Sequence, residues 1–389
     1  MRAALPEPTP DEAEHAARVH AAIAARIRAD GPLRFDRYMD LALYAPGLGY
    51  YSAGATKIGP RGDFVTAPEL GTVFARCLAE AIAPALEGPD ADVVELGAGT
   101  GALAAGLLPA LESLGRLPRR YRIVEVGADL RARQQARLGA LPEALAARVE
   151  WLDAPPAESW HGALVANEVV DALPCRLFEL REDALVELGV GLDADGRLRW
   201  QALAPDAELR AAVDAVFADG RARPRPYRSE IRPQVPAWLA AVAGTLETGL
   251  ALFVDYGFPR EEYYRPARSM GTLRCHYRHR AHDDPLILPG LQDLTASVDF
   301  SQLAEAGRRL GFDVACFASQ SAFLIACGLP RILAEGASLD PLALARLGAE
   351  VRMLTLPGEM GERFQVLALS RGLDPRSLPF ACADRSDRL

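Results

Sequence analysis

The order of apolar segments predicts an α/β protein built on a mostly parallel, doubly wound sheet, and three observations carry that prediction. Short apolar strand candidates alternate with helical stretches between residues 92 and 167, the pattern of repeated βα units. One strand candidate runs through three closely spaced glycines into a helix, as in sheets that bind a ligand at a strand's carboxyl end. The two last strand candidates, residues 312–317 and 364–369, would finish the sheet, the second following another strand without a crossover of the usual short βα kind.

Taken in order, Val19, Ile23 and Ile27 recur at spacing four, so residues 11–29 read as an amphipathic helix that Asp30-Gly31-Pro32 ends. A loop rich in Tyr and Gly comes next, from Tyr38 through Tyr44, Tyr50 and Tyr51 to Gly62-Asp63-Phe64. Thr66-Ala67-Pro68-Glu69 then offers a capping box for a helix with Leu70, Val73, Phe74, Cys77, Leu78 and Ile82 on one face. Strands are expected at 92–96, 121–126, 148–152, 163–167 and 250–255, and helices at 102–114 and 129–138. No repeat of 20 to 50 residues is visible.

Composition narrows the classes. The chain has 389 residues, 50% apolar and 24% charged, which excludes wholesale disorder, collagen and coiled coil. Of its 43 basic residues only Lys57 is lysine, and the net charge of −9 disfavours nucleic-acid binding over the whole surface. No apolar run is long enough to span a bilayer and the N-terminus lacks signal-peptide order, so a cytoplasmic protein without membrane insertion is expected. Cys77, Cys175, Cys275, Cys316, Cys327 and Cys382 include no C-x-x-C pair, which points to buried small hydrophobes. His276, His279 and His282 beside Asp283 and Asp284 have helical spacing, but the surrounding Gly and Pro indicate an irregular insert, so no metal is expected.

The chemistry begins at Glu95-Leu96-Gly97-Ala98-Gly99-Thr100-Gly101-Ala102. Glycines let the backbone approach a ligand closely, and free N–H groups open the following helix. Gly97, Gly99 and Ala102 also satisfy the dinucleotide spacing, so the loop alone leaves an NAD dehydrogenase open. Glu95, two residues before Gly97, suits a cationic amino group and would repel a pyrophosphate. Glu125, at the end of the next strand, can accept from a ribose diol. Singly, each acid is as commonly a surface residue; together with the loop they suit S-adenosylmethionine.

At this point the chain resembles the MidA-like, seven-β-strand methyltransferases related to the mitochondrial complex I assembly arginine methyltransferase. The resemblance rests on F-D-R-Y-M at 35–39, A-L-Y-A-P-G-L-G-Y-Y at 42–51, G-D-F-V-T-A-P-E at 62–69 and the glycine loop at 95–101. It continues with I-V-E-V-G at 123–127, N-E-V-V-D-A-L-P at 167–174, D-Y-G at 255–257 and D-L-T-A-S-V-D-F at 293–300. It implies a Rossmann-like seven-stranded sheet with an antiparallel last strand and S-adenosylmethionine as cofactor. The expected substrate is an assembly-partner protein, with a respiratory complex I subunit as the family-implied candidate and a homodimer as an open option. Ser297 and Ser319 stand where the family usually has His and Thr, so no catalytic role is assigned to Ser297.

Asn167-Glu168-Val169-Val170-Asp171 begins where the fourth strand ends, the place where ligands bind in open α/β sheets. An acidic clamp suits a planar, permanently charged guanidinium, with Glu168 as first choice, Asp171 second and Asn167 orienting the nucleophile. The plainer alternative is that Asn167 and Asp171 cap a following helix. Asp63, Thr66, Pro68 and Glu69 belong to a loop that could fold over the cofactor, with helix capping as the alternative for Thr66 and Glu69. Asp153, after the third strand, is the candidate for the adenine amino group, or a simple turn. Small-molecule or RNA methylation and a non-catalytic S-adenosylmethionine-binding assembly protein are the competing functions. The expected organisation is an N-terminal helical and loop lid (1–90), a methyltransferase domain (91–372) with α/β insertions at about 181–248, 256–299 and 319–362, and a tail (373–389).

Overall fold

The expected strands form one sheet in the computed structural model, which describes residues 5–52, 66–218, 220–336, 338 and 340–389. We number them β1 (Asp92–Leu96), β2 (Tyr121–Val124), β3 (Val149–Leu152), β4 (Trp160–Asn167), β5 (Leu246–Phe258), β6 (Asp313–Ser319) and β7 (Phe364–Arg371). Their spatial order is β6-β7-β5-β4-β1-β2-β3. β1 to β5 pair in parallel, whereas β7 is antiparallel to both β5 and β6. β4 is central: Ala166 pairs with Leu96 of β1 on one side and Phe253 of β5 on the other. The turn leaving β4 therefore emerges between the glycine loop leaving β1 and the end of β5.

The chain divides into two compact units. The unit holding this sheet gathers the described parts of Val65–Val170, Val235–Pro259 and Val298–Leu389. Val93, Val94, Leu164, Val165, Leu252, Phe253 and Val254 are wholly buried, each contributing about 1.5–3 kcal/mol relative to exposure. The Val73–Ile82 helix packs on the Ala102–Ser113 helix so closely that a side chain at Gly106 would meet the Ala75 methyl at 2.6 Å. The last residues fold back on β6, where Phe317 N–H donates to Asp384 at 2.9 Å.

The second unit gathers the described parts of Met1–Phe64 with Asp171–Gln234 and Arg260–Ser297. The N-terminal segment and two of the insertions thus condense together rather than embellishing the sheet separately. Leu33–Arg34, Leu185–Leu192, Arg176–Leu180, Tyr227–Ile231 and Leu198–Leu203 make an antiparallel sheet. Phe35, Tyr38, Met39 and Leu43 of the Phe35–Tyr44 helix share a core with Leu177 and Val190. Buried Arg176 donates to both carboxylate oxygens of Glu187, at 2.9 and 2.7 Å, the bidentate geometry that compensates a buried charge.

Three local expectations are corrected. The helix expected after Thr66 is two, Ala67–Leu70 and Val73–Ile82, broken at Gly71-Thr72. The Glu350 carboxylate occupies the space at Gly71, where a Cβ would lie 2.0 Å from its Oε2, and accepts from Val73 N–H at 2.6 Å. No helix succeeds Asn167; residues 168–175 form turns, so neither Asn167 nor Asp171 is a helix cap. The histidines lie on a β-hairpin, Arg274–Tyr277 with Arg280–His282, whose turn residues Arg278 and His279 have φ of 48° and 60°. Among the described residues no group of three or more His, Cys, Asp or Glu side chains has a metal-holding arrangement, and no helix is long and apolar enough to cross a membrane.

Candidate active site

The glycine loop leaves β1 in the conformation its composition permits: Gly97, Gly99 and Gly101 have φ of 63°, 53° and 82°, the left-handed region that L side chains rarely adopt. Space is equally restrictive, since a Cβ on Gly97 would approach Val169 Cγ2 to 2.9 Å. Gly101 then caps the Ala102–Ser113 helix, whose N-terminus presents free N–H groups.

Glu95 is 3% exposed on β1, and the Tyr121 hydroxyl donates to its Oε2 at 2.6 Å. Burial pushes its carboxyl up to about 7, against the opposing effect of the Tyr121 bond. Glu125 lies just beyond β2. Gly127 N–H donates to its Oε1 at 2.7 Å and Gln134 Nε2 to its Oε2 at 3.1 Å. That is one donor on each oxygen of a group that accepts about four. Burial raises the Glu125 carboxyl above its ordinary range, and these hydrogen bonds counter it.

Thr66 precedes the Ala67–Leu70 helix without capping it through its side chain, and Pro68 lies in its first turn. The capping box fails because Glu69 is engaged elsewhere. Its carboxylate accepts from Thr100 of the glycine loop and from Arg137, at 2.9 and 3.3 Å, so Glu69 braces the loop. Asp63 lies outside the described residues. Asp153 is 87% exposed and accepts from Arg131 at 2.6 Å, while Arg131 also donates to the Glu125 carbonyl at 2.8 Å.

At the end of β4, Glu168 holds φ of 54°, an outlier for a side chain that gains nothing locally from the left-handed region. Its surroundings enforce that conformation. Glu168 N–H donates to the Val254 carbonyl at 2.9 Å, and Val170 N–H to Asp255 Oδ2 at 2.9 Å. The carboxylate accepts from Asn167 Nδ2 at 3.1 Å and from the Tyr256 hydroxyl at 2.9 Å. Because a carboxylate only accepts, the Asn167 amide must turn its nitrogen to Glu168. Its Oδ1 is then buried with no hydrogen-bond partner among the described residues.

The structure therefore brings Asn167 and Glu168 together, with Val169 against Gly97. Asp171 belongs to the other unit, where its carbonyl accepts from Arg232 at 2.6 Å and from Ala296 N–H at 3.2 Å. Tyr44 and Tyr51 stack there with ring centroids 5.5 Å apart; Tyr44 donates to the Ala172 carbonyl and Tyr51 to Asp293, both at 2.8 Å.

Sequence reasoning missed two residues beside Glu125. Val126 is 82% exposed between Glu125 and Gly127, a large apolar side chain left open to solvent. Gln134 is wholly buried and donates to both Gly99 O, at 2.9 Å, and Glu125. Val126 reads in the sequence as the end of the apolar strand 121–126, and only the end of β2 at Val124 exposes it; nothing in the polar run around Gln134 distinguished it from a surface residue.

These residues fit S-adenosylmethionine. A left-handed glycine turn, closed to a Cβ at Gly97, meets a pair of acidic acceptors, Glu95 and Glu125, suited to an ammonium and a diol rather than to a pyrophosphate. Comparison with known proteins agrees. Residues 70–318 match the family described as S-adenosyl-L-methionine-dependent methyltransferase. The chain is similar to the mitochondrial protein arginine methyltransferase NDUFAF7 of Danio rerio, 30% identical over 89% of this chain and 85% of that protein. The Mus musculus counterpart is 30% identical over 88% and 82%. A Burkholderia thailandensis protein crystallised with S-adenosyl-homocysteine is 45% identical, covers 99% of this chain and 100% of its own, and superposes with a TM-score of 0.92.

Proposed function

The chain belongs to the S-adenosyl-L-methionine-dependent methyltransferase family, and on that premise we propose that it methylates arginine side chains of a protein substrate. The observation that carries this reading is the acceptor pair at the end of β4: the Glu168 carboxylate, on a left-handed backbone and held by Asn167 and Tyr256, beside the Asn167 Oδ1, which has no partner among the described residues. Two adjacent acceptors suit the parallel N–H groups of a guanidinium. The named activity of the NDUFAF7 relatives supports the same acceptor. A respiratory complex I subunit is the candidate that the family resemblance implies.

When bound, the cofactor supplies a sulfonium methyl open to in-line displacement. The glycine loop and the acids around it hold it: Glu95 toward the ammonium, Glu125 toward the ribose diol and Val126 along the adenine face, with Thr66, Pro68 and Glu69 bracing the loop. Asp153 serves the adenine edge. Glu168 would accept from the guanidinium and take up the proton that the attacking nitrogen gives up as the methyl group passes from sulfur to nitrogen, leaving the neutral thioether. Asn167 Oδ1 fixes the plane of the group, so that a nitrogen lone pair rather than an N–H edge faces the methyl carbon.

The test is mass spectrometry of arginine methylation in cells with and without the protein. A protein-bound mark that disappears, and returns with wild type but not with Glu168→Gln, supports the reading. An unchanged arginine-methyl proteome, with a methylated small molecule or RNA lost instead, overturns it.

A further inference from the structure

Gln134 is a buried polar side chain on the Ala128–Leu138 helix, whose other residues, Leu138 apart, are exposed or half-buried. Such a side chain is tolerated only when its hydrogen-bonding groups are met. Its Oε1 accepts from Trp151 Nε1 at 2.9 Å, while its Nε2 donates to Gly99 O at 2.9 Å and to Glu125 Oε2 at 3.1 Å. The orientation is unambiguous. An indole N–H only donates and both a carbonyl and a carboxylate only accept, so rotating the amide by 180° would oppose like groups at all three contacts. The helix backbone is also registered to the loop, because the Cβ position of Gly101 lies 3.4 Å from Gln134 Cα.

We propose that Gln134 is a positioning residue for the cofactor: one neutral amide, anchored on the Gly99 carbonyl and the Trp151 N–H, sets the Glu125 carboxylate, so that the ribose end is presented in fixed register. This rests on the placement of Glu125 against the ribose diol. A glutamine suits the task because it donates twice through one nitrogen without adding charge. A lysine would neutralise Glu125, and an apolar residue would leave the Trp151 N–H and the Gly99 carbonyl without their partner.

Isothermal calorimetry on Gln134→Met, with S-adenosylhomocysteine and with its 2′,3′-dideoxyribose analogue, tests the proposal. Wild type should prefer the diol-bearing ligand. Gln134→Met should bind it at least about tenfold more weakly, as expected for losing a hydrogen bond to a charged group, while affinity for the analogue changes about threefold or less. Gln134→Glu gives an independent readout. The introduced carboxyl repels Glu125 and Gly99 O when ionised and donates again when protonated, so the affinity ratio of variant to wild type, taken at each pH, should recover as pH falls from about 8 to about 5.5.

Equal losses for both ligands in Gln134→Met, or a pH-independent ratio in Gln134→Glu, would mean that Gln134 only supports the fold, and the proposal fails. A wild type that binds both ligands equally removes the Glu125 placement, and the proposal with it.

Discussion

The Tyr256 hydroxyl donates to Glu168 Oε2 at 2.9 Å, and Tyr256 is itself held by a tilted ring contact with Phe364, centroids 4.4 Å apart. One carboxylate of the proposed guanidinium clamp is thereby oriented from β5, with the ring anchored on β7. Asp255, the preceding residue, ties down the backbone beyond Glu168 through Val170 N–H. Successive residues of β5 thus constrain the same turn, one at the Glu168 side chain and one at the main chain beyond it.

Tyr256→Phe removes the hydroxyl and leaves the ring contact. Losing a hydrogen bond to a charged group is worth about 1.5–3 kcal/mol, so methyl transfer should slow by roughly 10- to 100-fold. The cofactor contacts lie elsewhere, so affinity for S-adenosylhomocysteine should stay within about twofold. Single-turnover transfer and calorimetry check the two halves; a parallel loss of both would show that Tyr256 supports the whole site rather than Glu168.

Glu168→Gly addresses the strain. A non-glycine residue in the left-handed region costs about 1–2 kcal/mol, which glycine does not incur. The variant should lose methyl transfer yet unfold in urea with a free energy about 1 kcal/mol higher than wild type. A less stable variant would mean that the bonds to Asn167 and Tyr256 outweigh the strain.

The sheet was legible because its signals are local. The apolar runs at Val93–Val94 and Phe253–Val254, the Gly97-Ala98-Gly99-Thr100-Gly101 turn and the acids beside it each declare themselves within a few residues. Contacts across the chain were not. The break at Gly71 depends on Glu350, and the missing capping box at Thr66 on Arg137, neither of which any local pattern connects to its target. Gln134 sits in Arg131-Ala132-Arg133-Gln134-Gln135, whose composition says surface, and only the fold of β2 and β3 around it buries the side chain. N-E-V-V-D reads as a helix start because Asn and Asp are common caps. The bonds from Glu168 N–H to the Val254 carbonyl and from Val170 N–H to the Asp255 carboxylate favour a turn there instead.

With the cofactor ammonium placed on Glu95 as proposed, cofactor binding should depend on pH. Burial holds its carboxyl near 7, so the free protein carries a proton there below that pH, whereas an ammonium beside it requires the ionised form. Affinity for S-adenosylhomocysteine should therefore be full above about pH 8 and fall as pH drops through about 7, approaching tenfold per unit below it. Glu95→Gln should flatten the profile and weaken binding at about pH 8. Wild-type binding that is flat between about pH 6 and 8 would place the ammonium away from Glu95.

Glu350 and Gly71 should be energetically coupled. Thr72 makes no side-chain cap on the Val73–Ile82 helix, so the Glu350 carboxylate takes that role, accepting from Val73 N–H in the space Gly71 leaves. Glu350→Ala strips the helix of its cap and should lower the unfolding free energy by about 1–2 kcal/mol. Gly71→Ala places a methyl on the carboxylate and should destabilise by a similar amount, about 1–3 kcal/mol. Once Glu350 is alanine the methyl has nothing to displace, so the double variant should be more stable than the sum of the single losses predicts, by about 1 kcal/mol or more. Urea unfolding of the wild type, the two single variants and the double variant measures this directly. Strictly additive losses would show that Gly71 is required by the backbone of the break itself and that the carboxylate merely fills the space.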